Sequence, residues 1–106
     1  MNIGVDIEDI RRFEKKPYYN NHSFYKKIFS QDEIDYCLKK DNPYPHFAVR
    51  FSTKEAFIKA YPDKIRNYHA IRVVFEDKKP FAVHENKKYA CSLSHTKEQA
   101  IAVVLI

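Results

Sequence analysis

Two acidic side chains stand close together near the start of the chain. In GVDIEDIRRF, residues 4–13, Asp6 and Glu8 alternate with the apolar Val5 and Ile7. Side chains two apart on an extended strand share a face, with β-carbons roughly 7 Å apart. Carboxylates that close repel each other. They are tolerated if solvated, if one is protonated, or if a cation lies between them. Oxygen ligands suit a hard cation, and magnesium usually takes few protein carboxylates alongside substrate phosphates.

Further along, HFAVRFSTKEAFIKAY, residues 46–61, carries Glu55 with Lys59 four residues on. That spacing puts both on one side of a helix, where an ordinary Glu–Lys pair contributes roughly 0.3–0.5 kcal/mol. Such a pair does not explain why Arg50 and Lys54 stud the same helix. His95 ends the stretch SLSH and shares a strand face with Cys91 and Leu93. It reads either as a structural histidine or as a group that contacts an anion.

These residues need a frame. The chain has 106 residues, enough for one domain spanning 1–106 around one core. With 44% hydrophobic and 15% aromatic residues, general disorder is excluded. No apolar run is long enough to cross a bilayer. Met1-Asn2-Ile3-Gly4 lacks the pattern of a signal peptide, so a cytoplasmic location is expected. Cys37 and Cys91 have no metal-like spacing and read as reduced, buried thiols. The net charge of +5 favours an anionic partner: nucleic acid, phosphorylated ligand or acidic protein. A single glycine rules out a Gly-rich phosphate loop of the Walker or dinucleotide type.

Residues 2–8 alternate as a half-buried strand. A short helix carrying Ile10 and Phe13 follows, with Arg11, Arg12, Lys15 and Lys16 as its charge. Pro17 to Asn21 is a break, and 23–29 is helical. Ser30 with Glu33 forms a capping box that starts a helix running to about Lys40. Asp41 to Pro45 is a loop. The helix over 46–61 places Phe47, Phe51, Ile58 and Tyr61 on one stripe. Strands are predicted over Ala70–Glu76, Phe81–His84, Tyr89–His95 and Gln99–Ile106. The class is α+β, with a mainly antiparallel sheet packed against the long helix.

In combination, GVDIEDIRRF, RFSTKEAFIKA and SLSHTKEQAIAVV resemble the motifs of the 4′-phosphopantetheinyl transferases, in order and over most of the chain. Within that superfamily the closing stretch is similar to the strand pair of the holo-acyl-carrier-protein synthases. The resemblance implies the family's fold and its reaction. The phosphopantetheine arm of coenzyme A moves to a serine of an apo-acyl carrier protein, 3′,5′-ADP leaves, and the product enters fatty acid biosynthesis. It implies magnesium as cofactor, held by Asp6 and Glu55, with Glu8 matching the additional carboxylate of the larger, surfactin-type members. Lys59 then contacts a phosphate. Glu55, through a bound water, is one option for the base that takes the serine proton. Arg50 and Lys54 add phosphate or adenosine-side contacts, and His95 matches the closing histidine near the nucleotide. Arg12 matches an arginine that docks the acidic carrier protein, with Arg11, Lys15 and Lys16 around it.

The chain also departs from the pattern. YPDKIRNYH stands where the family often has a Gly-x-Gly element, and the segment between Phe81 and Tyr89 is short. Surfactin-type enzymes resemble two fused copies of this unit, and small synthases assemble as trimers with sites at subunit boundaries. A homotrimer is therefore expected, a dimer being the second choice. Two other readings compete. One is a non-catalytic coenzyme A or carrier-protein binding homologue. The other is a basic nucleic-acid binder, disfavoured because the aromatics fall at core spacing in helices and do not alternate with Lys and Arg on strands.

Overall fold

The only glycine, Gly4, lies where a strand and a helix touch backbone to backbone. In the computed structural model, which describes residues 1–106, a β-carbon at Gly4 would stand 1.9 Å from the Ala56 carbonyl oxygen and 3.0 Å from the Ala60 β-carbon. Any side chain here would push the strand off the helix. This close approach brings residues 4–8 against residues 52–60.

Five strands form one antiparallel sheet: β1 (Ile3–Asp9), β2 (Arg72–Glu76), β3 (Lys79–His84), β4 (Lys87–His95) and β5 (Gln99–Leu105). Their spatial order is β1-β5-β4-β3-β2. Helices α1 (Ile10–Glu14), α2 (His22–Ile28), α3 (Gln31–Leu38) and α4 (Tyr44–Ala60) lie between β1 and β2 in sequence. The expected α+β architecture is present, with α4 lying across β1 and β5. The two termini meet at the sheet edge, where Asn2 and Ile106 exchange both backbone hydrogen bonds, at 2.7 and 2.8 Å.

Strand β1 is half-buried in an uncommon sense. Gly4 and Asp6 are buried, whereas Ile3, Val5 and Ile7 are 69%, 51% and 55% exposed. The inner face is built from residues small enough for the close helix contact: Gly4, Ala100, Ala102 and Val104. The bulky residues of the edge pair face out, in the cross-strand pairs Ile3–Leu105, Val5–Val103 and Ile7–Ile101. The result is an open apolar face on an edge strand and its neighbour, a surface that ordinarily marks association.

Helix α4 differs from the stripe read in the sequence because it is buried nearly all round. Phe47 and Phe51 are buried as expected, but so are Arg50, Ser52, Thr53 and Lys54, while Ile58 and Tyr61 are only half-buried. Its polar residues find partners inside: the Ser52 hydroxyl donates to the Asp6 carbonyl at 2.8 Å and Thr53 to the Val49 carbonyl at 2.8 Å. The helix starts at Tyr44 and takes Pro45 into its first turn, where a missing N–H costs nothing. The expected loop therefore ends sooner. Beneath α4, Phe47 packs its ring 4.7 Å from that of Tyr25 and 5.0 Å from that of Phe29.

The capping box forms as read: Ser30 Oγ accepts from the Glu33 N–H at 3.2 Å, and Glu33 accepts from the Ser30 N–H at 2.9 Å. Ala70, expected to open a strand, instead ends a 3-10 turn over Tyr68–Ala70 capped by Asn67, and the strand starts at Arg72. Asp77–Lys78 and Glu85–Asn86 close the β2–β3 and β3–β4 hairpins with φ positive at both central residues, the geometry that matches strand twist. No helix is long and apolar enough to cross a membrane.

Candidate active site

Beside the Gly4 contact, a carboxylate of β1 meets a lysine of α4. The Asp6 side chain is 9% exposed. Its Oδ1 accepts from the Lys59 ammonium at 3.0 Å, and the same ammonium donates to the Val5 carbonyl at 3.0 Å. Lys59 thus crosses to the strand instead of forming the simple i, i+4 pair with Glu55. Asp6 Oδ2 is buried and has no hydrogen-bond partner.

Glu8, two residues along the same face, pairs with Arg12 at 3.2 Å. Burial, then the Asp6 carboxylate beside it, push Glu8 up to about 7; Arg12 opposes them and Glu55 adds to them. Glu55 accepts a hydrogen bond from the Tyr68 phenol. A cleft of about 230 Å³ opens beside it, lined by Ile58, Ile65, Arg66 and Tyr68.

This donor set fits a hard divalent cation. A buried carboxylate oxygen lacks a partner, and the neighbouring Glu8 carboxyl is pushed up to about 7 by burial and then by Asp6. No three His, Cys, Asp or Glu side chains are close enough to enclose an ion by themselves. Magnesium commonly takes few protein carboxylates, with the remaining positions filled by water and substrate phosphates.

Arg50 and His95 form a second, separate region. Arg50 precedes Glu55 by five residues, about 7.5 Å along α4 and about 140° around it. Only 3% exposed, it forms no ion pair, and its Nε has no partner. Its guanidinium lies 4.3 Å from the Tyr36 ring centroid and 5.0 Å from that of Phe75. A cleft of about 220 Å³ runs past it to His46, Ser94 and His95. A buried guanidinium facing a cleft without a counter-charge favours an anionic ligand. His95 is exposed at the mouth, its Nδ1 3.1 Å from the Thr96 carbonyl.

Lys54 belongs to neither region, which corrects its reading as a phosphate or adenosine contact. Its ammonium is fully buried, 2.7 Å from Glu33 and 2.8 Å from the Ile28 carbonyl. Burial lowers its pKa, and Glu33 offsets this. Glu33 also accepts from the Val73 N–H at 3.0 Å. The pair ties α3, α4 and β2 together and cannot reach a ligand.

On α1, Arg11 is drawn back to Asp9 at 3.0 Å and Lys15 is exposed. Arg12 is half-exposed over the Phe51 ring, so it borders the carboxylate cluster. Sequence spacing gave no sign of Tyr68 or Arg66. Both come from the stretch that replaces Gly-x-Gly, and only the turn at Asn67 folds that stretch back over α4.

Comparison with known proteins identifies the family. The family model described as the 4′-phosphopantetheinyl transferase superfamily matches residues 2–104. The holo-[acyl-carrier-protein] synthase of Chloroherpeton thalassium is 36% identical, over 100% of this chain and 97% of its own length. That of Thermodesulfovibrio yellowstonii is 34% identical, over 98% and 96%. Among solved structures, the Helicobacter pylori holo-[acyl-carrier-protein] synthase in complex with coenzyme A superposes with a TM-score of 0.82 at 28% identity, covering 97% of each chain. The Bacillus anthracis holo-(acyl-carrier-protein) synthase, described in complex with CoA (3′,5′-ADP), gives 0.81 at 29% identity, covering 97% of this chain and 92% of that one.

Proposed function

We propose, starting from the fact that this chain belongs to the 4′-phosphopantetheinyl transferase superfamily, that it is a holo-acyl-carrier-protein synthase dependent on magnesium. It moves the phosphopantetheine arm of coenzyme A to a serine of an apo-acyl carrier protein. The observation that supports this best is the buried Asp6 carboxylate, paired with Lys59 and beside Glu8, with one of its oxygens left without a partner.

In the reaction, the serine Oγ forms a bond to the β-phosphorus of coenzyme A. The bond from that phosphorus to the bridging pyrophosphate oxygen breaks, and 3′,5′-ADP departs with the electron pair. Asp6, Glu55 and Glu8 would hold Mg2+, which when bound neutralises pyrophosphate charge and aligns the phosphates. Lys59, half-exposed and paired with Asp6, is placed to turn its ammonium to a phosphate as charge develops. The proton of the serine passes to a base, for which Glu55 acting through a water is the nearest candidate on α4.

Arg50 and His95 take the nucleotide end of coenzyme A. Their cleft is separate from the one beside Glu55, and in the proposed assembly a second copy of the chain supplies the other half of the site. The open face of Ile3, Val5, Ile7, Ile101, Val103 and Leu105 is the surface on which such copies would pack. We assign the assembly as a homotrimer on the family resemblance, with active sites shared between subunits. The basic residues of α1 lie next to the carboxylate cluster, on the side where an acidic carrier protein would present its serine.

The test is mass spectrometry of an apo-acyl carrier protein incubated with this chain, coenzyme A and Mg2+. Gain of one phosphopantetheine mass establishes the reaction. Binding of coenzyme A without any gain would instead favour a non-catalytic homologue, the reading that the replaced Gly-x-Gly stretch supports.

A further inference from the structure

We propose that Tyr68 is a positioning residue for Glu55, fixing the carboxylate in the orientation that receives the divalent cation. The inference rests on the reading of Glu55 as a metal ligand. The Tyr68 phenol donates to Glu55 Oε1 and is the sole hydrogen-bond partner of that side chain. The alternative partner on the helix, Lys59, is committed to Asp6 and Val5. One carboxylate oxygen is therefore tied down and the other left free at the cleft.

Tyr68 is itself held firmly enough to act this way. Its ring packs on that of Phe51, 5.5 Å between centroids. Its carbonyl accepts from the Ile71 N–H at 3.1 Å and lies 3.4 Å from the buried Lys54 ammonium. Asn67 caps the turn through the His69 N–H at 2.8 Å. Phe51 is one turn before Glu55 on α4 and Lys54 is its immediate neighbour, so the same helix that presents the carboxylate also anchors the tyrosine. A free Glu side chain loses considerable rotamer entropy when it binds an ion. Restricting it in advance lowers that loss, as hydrogen-bond partners of metal ligands generally do. The stretch that replaces Gly-x-Gly thereby supplies a contact to the site.

The experiment titrates Mn2+, as a spectroscopic stand-in for Mg2+, into the full chain with coenzyme A, and follows free Mn2+ by electron paramagnetic resonance. Tyr68→Phe keeps the ring on Phe51 and removes only the hydroxyl. It is expected to weaken Mn2+ binding by about 10–100-fold at an unchanged thermal midpoint. In transfer assays the Mg2+ concentration for half-maximal rate should rise, with turnover recovering at saturating Mg2+. Glu55→Gln serves as the control. If Glu55→Gln loses Mn2+ while Tyr68→Phe binds it as tightly as the unaltered chain, the positioning role is overturned and the metal reading stands. If Glu55→Gln also binds normally, both fall.

Discussion

Lys59 stands one helical turn beyond Glu55, yet its ammonium pairs with Asp6 of β1, 3.0 Å away across the helix–strand contact. A cation that bridges helix and strand at the proposed site for metal and pyrophosphate is more than a surface pair. Asp6→Ala and Glu55→Ala are expected to lower transfer by at least about 10²-fold, as loss of a group that stabilises developing charge does, in variants that remain folded by circular dichroism. Lys59→Ala should raise the KM for coenzyme A and lower kcat. Full activity with a stability loss of about 1 kcal/mol or less would reduce Lys59 to its ion pair. Glu8→Ala should be milder than either carboxylate change.

Glu8 supplies a pH test in the absence of metal. Its carboxyl is raised to about 7 from an ordinary value of 4.5, mainly by burial and then by Asp6. Between those values the folded chain binds more protons than the unfolded one, so stability falls as pH rises. The Glu8 contribution is fully present below about pH 4.5 and gone above about 7. Denaturant titrations in chelator should show a steeper decline over this window for the unaltered chain than for Glu8→Gln. Parallel curves would mean that Glu8 titrates normally.

Lys54 separates a structural lysine from a ligand-binding one. Lys54→Ala leaves the Glu33 carboxylate buried and unpaired, a change that costs about 3–5 kcal/mol. A large drop in thermal midpoint is expected, partly recovered by combining Lys54→Met with Glu33→Gln. A stable Lys54→Ala protein with a raised KM for coenzyme A would restore the phosphate role.

The open apolar face should govern both assembly and activity. Val103→Glu places a charge opposite Val5 in the outward pair. It is expected to give monomers by sedimentation velocity and to abolish transfer. Mixing inactive Asp6→Ala with inactive Arg50→Ala should restore part of the activity if each site draws its carboxylates and its arginine from different subunits. No recovery in a mixed oligomer would confine the site to one chain.

Docking of the carrier protein is best probed away from the cluster. Arg12→Glu would break the Glu8 pair and add a carboxylate beside Glu8, disturbing the proposed metal site as well as docking. Lys15→Glu has no such contact. It should raise the KM for the carrier protein at low salt, with less effect at moderate salt, and leave that for coenzyme A unchanged. An unaltered carrier constant would remove α1 from the docking surface.

Much of this was legible from local pattern. Ser30 and Glu33 announce a helix start, and alternation finds β1, β4 and β5. Asp6 and Glu8 stand out as two carboxylates on one strand face, and Glu55 as a carboxylate one turn before Lys59. What spacing could not reveal are contacts between residues distant in sequence. Glu33 reads as a cap, but it also binds Lys54 and Val73, 21 and 40 residues away. Lys54 and Arg50 look alike beside Glu55, and on a helix buried nearly all round the sequence cannot say which cation meets a cleft. The outward face of β1 was hidden for a related reason. Alternation identifies two faces, and only the Gly4 contact with Ala56 decides which of them is small enough to lie inside.

The backbone bonds between Asn2 and Ile106 bear on connectivity itself. The ends of the described chain are already neighbours in the sheet, as the ends of many domains are. A short linker from Ile106 to Met1 would replace no contact of the clefts. The chain could then be opened at the Asp77–Lys78 turn, which lies at the far side of the sheet from β1. Such a circular permutant would keep Asp6, Glu55 and Lys59 in place while moving the free ends away from the face where copies are expected to meet. The order in which the strands leave the ribosome would change, and the architecture of the site would not depend on it.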